Sequence, residues 1–255
     1  MKSWSTTYLG RTILSIWAWI ALVISILVTV PAVFVTWLFT RWHDPARYKA
    51  GYRFRRLAVI LHKLNPLWKF KVSGKIPDNP RNPYVVISNH ESFVDMILIS
   101  QLPFEMKWIS KSTFFKIPLV GWTMRMAGDI RLDRNDKKSG ARVVRESLDR
   151  LSKKVSIMIF PEGTRSADGV LKPFKSGAFR IAIRAGVPIL PLAVVGTREA
   201  LVKNDWRYGT TDAEVRVLDP IPTEGLTKAD VNDLRDRAHR AISDALADMK
   251  AERAA

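Results

Sequence analysis

The chain has 255 residues, an apolar fraction of 47% and a formal net charge of +17 at pH 7. This length allows one full-sized domain with an appendage, or two small domains. The charge predicts an anionic partner: nucleic acid, phosphorylated ligands or an acidic membrane surface. Because cysteine is absent, disulfides, thiolate nucleophiles and thiolate metal sites are excluded.

The N-terminal region contains a long apolar run, residues 12–40, with no charged side chain. About 20 apolar residues span a bilayer core. Pro31 allows either a kinked spanning helix or a hairpin of two half-helices in one leaflet. A cleavable signal peptide and a buried core helix are the alternatives, but the run is too long for the first and too apolar for the second. We therefore predict a membrane anchor over residues 1–45, formed by a helix or a helical hairpin.

A strongly basic segment follows the apolar run. Residues 41–75 carry ten lysines and arginines against a single acid, Asp44, with aromatic residues between them. This pattern predicts an interfacial segment, residues 46–75, that lies on anionic headgroups. Nucleic-acid binding is the alternative explanation of such a patch, but the adjacent anchor disfavours it. Because only two basic residues precede the apolar run, the charge asymmetry places residues from 41 onward on the cytoplasmic side.

The remaining chain alternates between apolar runs and amphipathic ones. The patterns predict strands near residues 69–72, 84–88, 106–110, 130–132, 155–160, 189–195 and 213–218. They predict helices near residues 46–64, 92–102, 136–154, 177–185 and 227–253, with a loop at 117–122. Such alternation predicts one α/β domain, residues 46–255, with a mostly parallel sheet flanked by helices. Its motifs fall within residues 76–220, ahead of the C-terminal helix.

The first candidate site is Asn89–Asp95, which follows the predicted strand 84–88. His90 could act as a general base while Asp95 accepts the imidazole Nδ1–H. A helix-capping or structural role is the alternative. The spacing itself proves little, because His239 and Asp244 share it inside the predicted C-terminal helix. There five residues turn about 500°, which leaves those side chains about 140° apart.

A second candidate site, Phe160–Ser166, follows another buried strand. Gly163 permits close backbone approach, Thr164 offers a hydroxyl, and Arg165 offers paired donors that match a phosphate. The alternative is a plain turn in which Glu162 and Arg165 are solvated. Arg134 ends a third strand, and Lys111 adds charge nearby in the sequence. The chain has no nucleophile elbow, phosphate loop, dinucleotide-binding turn or metal-ligand spacing.

Four blocks in this order resemble the glycerolipid acyltransferase family, which includes the 1-acylglycerol-3-phosphate acyltransferases. They are Asn89–Asp95, Gly128–Arg134, Phe160–Ser166 and Val187–Pro191, and the third matches completely. Lys111–Trp122 resembles a further stretch, but Thr113 and Phe114 stand where Glu-Leu is common. The resemblance spans roughly residues 70–220.

The resemblance implies that His90, held by Asp95, activates a glycerol hydroxyl for direct attack on a thioester, without a covalent intermediate on Ser92. The co-substrate would be acyl-CoA or acyl-carrier protein, with no cofactor and no metal. The implied acceptor is lysophosphatidate, which would give phosphatidate. The residues implied to hold the acceptor are Glu162, Gly163, Thr164, Arg165, Arg134 and, less firmly, Lys111.

The family's bacterial members carry an N-terminal membrane helix motif, which implies an inner-membrane protein whose catalytic domain faces the cytoplasm. Another lysolipid acceptor, or a non-catalytic protein that binds anionic lipids, is the alternative. Acyl-chain length, the choice of donor and the oligomeric state are left open.

Overall fold

The computed structural model describes residues 7–166, 168–201 and 205–254, apart from the side chain of Lys137. The helices are α1 (Tyr8–Thr40), α2 (Tyr48–Leu64), α3 (Asp95–Ile99), α4 (Val120–Ala127), α5 (Lys137–Ser152), α6 (Gly177–Ala185) and α7 (Val231–Ala254). The strands are β1 (Trp68–Gly74), β2 (Val85–Ser88), β3 (Met106–Lys111), β4 (Ile130–Leu132), β5 (Ser156–Ile159), β6 (Ile189–Val195) and β7 (Thr211–Val217). Within these described residues, short 3₁₀ turns cover Phe114–Lys116, Arg198–Ala200 and Lys228–Asp230.

The strands form one sheet in the order β1-β7-β6-β2-β5-β3-β4. Neighbouring strands are parallel except for β6 and β7, which are antiparallel. The predicted α/β fold with a mostly parallel sheet is therefore confirmed. Because β2 lies between β5 and β6, loops that are far apart in sequence leave the sheet side by side.

Both faces of the central strands are covered, which explains their continuous apolar sequences. One face of β2 places Val85 and Ile87 in a core with residues of α5, α6 and α7. The opposite face places Val86 in a second core with Leu98 and Ile99 at the end of α3. Every residue of β6 is buried. These packed layers give the loops at the carboxyl edge of the sheet a rigid base.

Helix α1 is one continuous helix that passes through Pro31, so the structure has the single-helix form of the predicted anchor. It is long and apolar enough to cross a membrane. Its inward face is small or hydroxylated at several buried positions, namely Gly10, Ser15, Ala18, Ala21, Ser25 and Thr29. Small side chains allow the helix to approach its neighbours closely. Its outward face exposes large apolar side chains such as Leu27, Val28 and Phe39.

Helix α1 is docked onto the rest of the protein along its length. Near its start, the Ser15 hydroxyl accepts a hydrogen bond from the Tyr208 backbone N–H at 3.0 Å. The Trp19 indole donates to the Trp206 carbonyl at 2.9 Å. Towards its other end, Val33 is completely buried, and the helix packs on α2. Helix α1 and the sheet-bearing domain are therefore one packed unit.

Two helices differ from the sequence predictions. The helix predicted at 92–102 is only five residues long, because the preceding backbone wraps around the Asp95 carboxylate. Its end is fixed before Pro103, since the residue before proline avoids the helical region. Residues 120–127, partly predicted as loop, form α4. Gly121 makes this possible, because a Cβ there would overlap the Phe115 carbonyl.

Candidate active site

The first two candidate motifs meet at the carboxyl edge of the sheet. Strands β2 and β5 are parallel neighbours, with Ile87 opposite Ile159, so the loops that follow them begin side by side. The Ser166 backbone N–H donates to the His90 carbonyl at 2.7 Å and ties the two loops together. The carboxyl edge of an open α/β sheet is where such folds bind ligands.

His90 and Asp95 form a hydrogen-bonded pair, with 2.7 Å between Nδ1 and Oδ2. Because a carboxylate can only accept, it favours the tautomer with the proton on Nδ1 and leaves Nε2 able to accept a proton. The imidazole ring also stacks on Phe160, with 3.9 Å between ring centroids. Its side chain is 16% exposed. The histidine is therefore held in one orientation while part of the ring reaches the cleft.

The Asp95 carboxylate is completely buried and accepts four hydrogen bonds. Besides His90, the Glu91 and Ser92 backbone N–H groups donate to Oδ2 at 2.8 and 2.9 Å. The Thr197 hydroxyl donates to Oδ1. A buried charge is tolerated when its oxygens are satisfied in this way. Four donors from two loops therefore stabilise the ionised carboxylate beside the imidazole.

Glu162 lies beneath the cleft rather than in its lining. One carboxylate oxygen accepts the His90 backbone N–H at 2.7 Å, and the other accepts the Lys172 backbone N–H at 3.2 Å. Burial raises the pKa of this carboxyl, while the two N–H donors oppose the rise. The side chain expected to contact the acceptor is thus already engaged in holding the loop that carries His90.

A cleft of about 910 Å³ opens at this edge of the sheet. It brings His90 together with five other residues that the sequence singled out: Lys111, Arg134, Gly163, Thr164 and Arg165. Lys175 and Arg180, which the sequence analysis did not assign to the site, also line it. Five cations thus face two acids, Asp133 and Asp136, which gives the cleft a positive potential suited to anionic substrates.

Gly163 sits at the turn with φ of +75°, a conformation that favours glycine. A Cβ at this position would lie 2.8 Å from the Lys175 Nζ. The missing side chain therefore does two things: it permits the turn, and it leaves room for the Lys175 ammonium above the Gly163 backbone. This close approach concentrates positive charge beside Thr164 and Arg165.

A second cavity, of about 420 Å³, adjoins the cleft. The two share the side chains of Phe93, Met96, Trp108 and Phe114 as a common wall. The rest of the second cavity is lined mainly by apolar residues of α1 and α2, such as Leu22, Ile26, Leu57 and Leu61. An apolar chain could therefore extend from the cleft into the space under the membrane helix.

The match to known proteins covers the same region as this site. The sequence model of a family described as Acyltransferase matches residues 69–195. A 1-acyl-sn-glycerol-3-phosphate acyltransferase of Haemophilus influenzae is 33% identical over 195 residues, which cover 74% of this chain and 80% of that protein. The chain belongs to the acyltransferase family. The predicted membership is thereby confirmed.

Two further relatives align with about two thirds or more of this chain but with a smaller share of their own length. A chloroplastic 1-acyl-sn-glycerol-3-phosphate acyltransferase of Brassica napus is 37% identical over 71% of this chain and 52% of its own. The human 1-acyl-sn-glycerol-3-phosphate acyltransferase alpha is 36% identical over 68% of this chain and 62% of its own. The chain thus spans about half to three fifths of the length of these two relatives.

The acyltransferase fold is also shared with a solved structure. The 1-acyl-sn-glycerophosphate (LPA) acyltransferase of Thermotoga maritima superimposes with a TM-score of 0.80. The match covers 95% of this chain and 97% of that one, at 24% sequence identity. The shared fold includes the N-terminal helical region as well as the sheet.

The second His-x4-Asp match of this chain, near its C-terminus, behaves as the helical geometry predicts. His239 and Asp244 both lie within α7, and the His239 ring packs edge-on against Phe174. By contrast, the sequence analysis missed Thr197, which contacts Asp95 from 102 positions away. No local pattern marks Thr197, although it lies six residues beyond the fourth block. Only the fold reveals its partner.

Proposed function

We propose that this protein is a membrane-bound 1-acyl-sn-glycerol-3-phosphate O-acyltransferase, which converts lysophosphatidate into phosphatidate. The observation that carries the proposal is the His90–Asp95 pair, buried on the Asp95 side and open on the His90 side to a cationic cleft. The relatives described above are 1-acyl-sn-glycerol-3-phosphate acyltransferases, which supports the same reaction. All roles assigned below to individual residues belong to this proposal.

In the proposed reaction, His90 Nε2 takes the proton of the acceptor's free hydroxyl as that oxygen attacks the thioester carbonyl carbon. A C–O bond forms, the C–S bond breaks, and the thiolate of acyl-CoA or acyl-carrier protein leaves with the proton returned by His90. Ser92 is not a nucleophile in this scheme. It is buried, and its hydroxyl accepts a hydrogen bond from the Val94 backbone N–H. No cofactor beyond the acyl donor takes part.

The acceptor phosphate is proposed to bind the cations of the cleft. Arg165 offers paired donors suited to a phosphate, and Thr164 adds a hydroxyl. Arg134 and Lys111 line the same cleft from the side of β3 and β4. Glu162 contributes by fixing the His90 loop, because both of its oxygens already accept backbone N–H groups. The acyl chain of one of the two lipid substrates would occupy the apolar cavity beside the cleft.

The anchor is proposed to lie in one leaflet of the membrane rather than to cross it. The domain packs beside α1 from Ser15 to Val33, so a crossing helix would drag polar domain surface into the hydrocarbon core. The outward apolar face of α1 and the basic residues of α2 suit the boundary of an anionic leaflet. We place the protein in the inner membrane, with residues 46–255 as the cytoplasmic acyltransferase domain and residues 1–45 as the anchor.

A lysophospholipid or lyso-aminolipid acceptor is the alternative substrate, and a non-catalytic protein that binds anionic lipids is the alternative function. Purified protein is therefore incubated in detergent with labelled acyl-CoA or acyl-carrier protein and a panel of lysolipids. Transfer to lysophosphatidate supports the proposal. Transfer only to another lysolipid contradicts the substrate, and no transfer to any acceptor contradicts the reaction.

The same assay tests the proposed base. We expect His90→Ala to lose acyl transfer by at least about 100-fold, since general-base catalysis contributes 10²–10⁴-fold. His239→Ala is the matched control, because it removes the histidine of the second His-x4-Asp match outside the cleft. Membrane association should be unchanged in both variants. Full activity of His90→Ala would rule out the base.

A further inference from the structure

We propose that Thr197 is a positioning residue of the acyl transfer, and that it is held in place by the membrane helix α1. Thr197 fixes Asp95 through its hydroxyl, and Asp95 fixes His90. This inference rests on the proposed function. The inference goes beyond the proposed function because it connects His90 and Asp95 to helix α1 through three successive contacts.

The first contact is between Thr197 and the carboxylate. Thr197 is completely buried, and its hydroxyl donates to Asp95 Oδ1. The other oxygen, Oδ2, takes the three remaining bonds, including the one from His90 Nδ1. Thr197 is thus the side chain that engages the oxygen turned away from the histidine. By holding that oxygen, it fixes the rotation of the carboxylate and therefore the direction of the imidazole.

The second contact joins Thr197 to the strand entry at 208–211. Thr197 begins the short turn Arg198–Ala200, and the Ala200 N–H donates to the Thr197 carbonyl at 3.1 Å. The Gly209 N–H then donates to the Ala200 carbonyl at 3.0 Å. Gly209 lies directly on this turn, because a Cβ there would overlap the Glu199 carbonyl oxygen.

The third contact joins residue 208 to the membrane helix. The Tyr208 backbone N–H donates to the Ser15 hydroxyl at 3.0 Å, and the Tyr208 carbonyl accepts from the Arg11 guanidinium at 3.4 Å. The Tyr208 ring packs against Trp19 of the same helix. Both Ser15 and Tyr208 are buried, so this junction is a packed contact and not a surface contact.

The electrostatic consequence of losing the Thr197 hydroxyl can be stated with its sign. The hydroxyl dipole withdraws negative charge from Asp95. Without it, the carboxylate attracts the proton on the neighbouring imidazole more strongly. The acidic limb of the rate profile would then move to higher pH. A variant that merely unfolds part of the protein would lower the active fraction without moving that limb.

The test compares Thr197→Val and Thr197→Ser in the full chain, with acyl-CoA and lysophosphatidate in detergent. We expect Thr197→Val to lower kcat by at least about 10-fold, with both KM values changed less than about 2-fold. The acidic limb of the pH–rate profile of Thr197→Val should move to higher pH. Thr197→Ser keeps the hydroxyl, so it should restore both kcat and the wild-type position of the acidic limb. If valine prevents folding, Thr197→Ala removes the hydroxyl without added bulk.

Thr223→Val is the matched control. Thr223 is also buried, and its hydroxyl donates to the Val187 carbonyl at 3.0 Å, away from the cleft. It should lower thermal stability but leave kcat and the pH profile unchanged. A Thr197→Val protein with wild-type kcat and profile, or a Thr197→Ser protein as slow as Thr197→Val, would overturn the positioning role. A wild-type protein inactive with every acceptor would instead overturn the proposed function.

A double-mutant cycle tests the connection to the anchor. Ser15→Ala removes the hydroxyl that holds Tyr208 and should lower kcat in the same direction as Thr197→Val. Since both changes act through the same contacts, their effects on kcat should combine to less than the product of the two. Thr36→Ala, whose hydroxyl bonds only within α1, should leave kcat unchanged. Independent, multiplicative effects would overturn the connection.

Discussion

At the scale of single residues, Glu91 is the acid whose ionisation the site changes most clearly. Burial and the neighbouring Asp95 raise the pKa of its carboxyl to about 7, although Lys250 and Arg198 oppose the rise. In the unfolded chain this carboxyl ionises near pH 4.5. Between these two values the native state binds more protons, so this residue makes the protein less stable as the pH rises from 4.5 to 7.

Glu91→Gln should remove that loss of stability. We expect its Tm at pH 8 to exceed that of the wild type by about 2–4 °C, which corresponds to about 1 kcal/mol for a chain of this size. At about pH 3 the two proteins should melt within about 1 °C of each other, since Glu91 is then protonated in both the folded and the unfolded state. Glu224→Gln, on an exposed glutamate, is the control. Parallel melting curves for Glu91→Gln and wild type would contradict the prediction.

The sequence predicted which residues lie together at the cleft better than it predicted their contacts. His90 and Asp95 form the expected pair because the partner lies only five positions away. Glu162 carries a carboxylate within a phosphate-suited turn, which suggests contact with the acceptor. Its oxygens instead accept backbone N–H groups, one from the distant His90 loop and one from Lys172 in its own loop. Thr197 has no local signal at all. Tasks that depend on contacts across the sheet are invisible in a linear pattern.

At the scale of elements, helix α2 rests on a buried group of charges. Lys107 and Glu105 are fully buried and lie 2.8 Å apart, and the Lys107 ammonium also donates to the Arg47 carbonyl just before α2, at 2.9 Å. Arg55 of α2 pairs with Asp129 beside them. Breaking one partner of such a group leaves an uncompensated buried charge, which is strongly destabilising.

Gly51 is the point where α2 touches this group, and it gives the next prediction. Glycine to alanine normally stabilises a helix by up to about 1 kcal/mol. At Gly51, however, a methyl group would overlap both Glu105 Oε1 and Lys107 Nζ. We expect Gly51→Ala to destabilise the protein by about 1–3 kcal/mol, the usual cost of overpacking.

Gly140 provides the matched comparison for Gly51. It lies inside α5, and a Cβ there would meet no heavy atom within 4 Å. Gly140→Ala should therefore stabilise the protein by about 0.5–1 kcal/mol. Denaturant unfolding of both variants in detergent measures the two changes. Changes of the same sign would show that the buried charges do not restrict α2.

Elements with a clear apolar pattern were predictable from the sequence, including the three-residue strand β4, whereas the two short helices α3 and α4 were not. Strand β6 and helix α6 have the predicted bounds because their apolar periodicity is uninterrupted. Helix α4 was missed because Pro118 just before it and Gly121 within it are residue types that are typical of loops. Helix α3 was predicted too long because its amphipathic pattern begins three residues before the backbone stops wrapping around Asp95.

At the scale of the whole molecule, helix α1 and the sheet-bearing domain form one body. An isolated anchor would connect to the domain through a linker, whereas α1 is bonded to residues 206–208 and packed on α2. Composition alone identified the apolar run but not its docking, because the partners lie almost 200 positions away. The position of the helix in the bilayer therefore determines how the cleft meets the membrane.

The absence of cysteine allows this position to be measured directly. Single cysteines are introduced at Tyr8 and Trp42, near the two ends of α1, and at Val170 in the sheet-bearing domain; all three positions are exposed. If α1 lies in one leaflet, a membrane-impermeant maleimide should label all three from the same side of sealed vesicles. Labelling of position 8 from the opposite side would show that the helix crosses.

The docking of α1 also has a consequence for biosynthesis. Arg11 and Trp19 find their hydrogen-bond partners 197 and 187 positions later in the chain. At about 5–20 residues per second of translation, the helix waits on the order of 10 s or longer before those partners emerge from the ribosome. During that interval its apolar residues would be exposed to water unless the bilayer covers them. We therefore expect α1 to enter the membrane first and the rest of the domain to fold onto it afterwards.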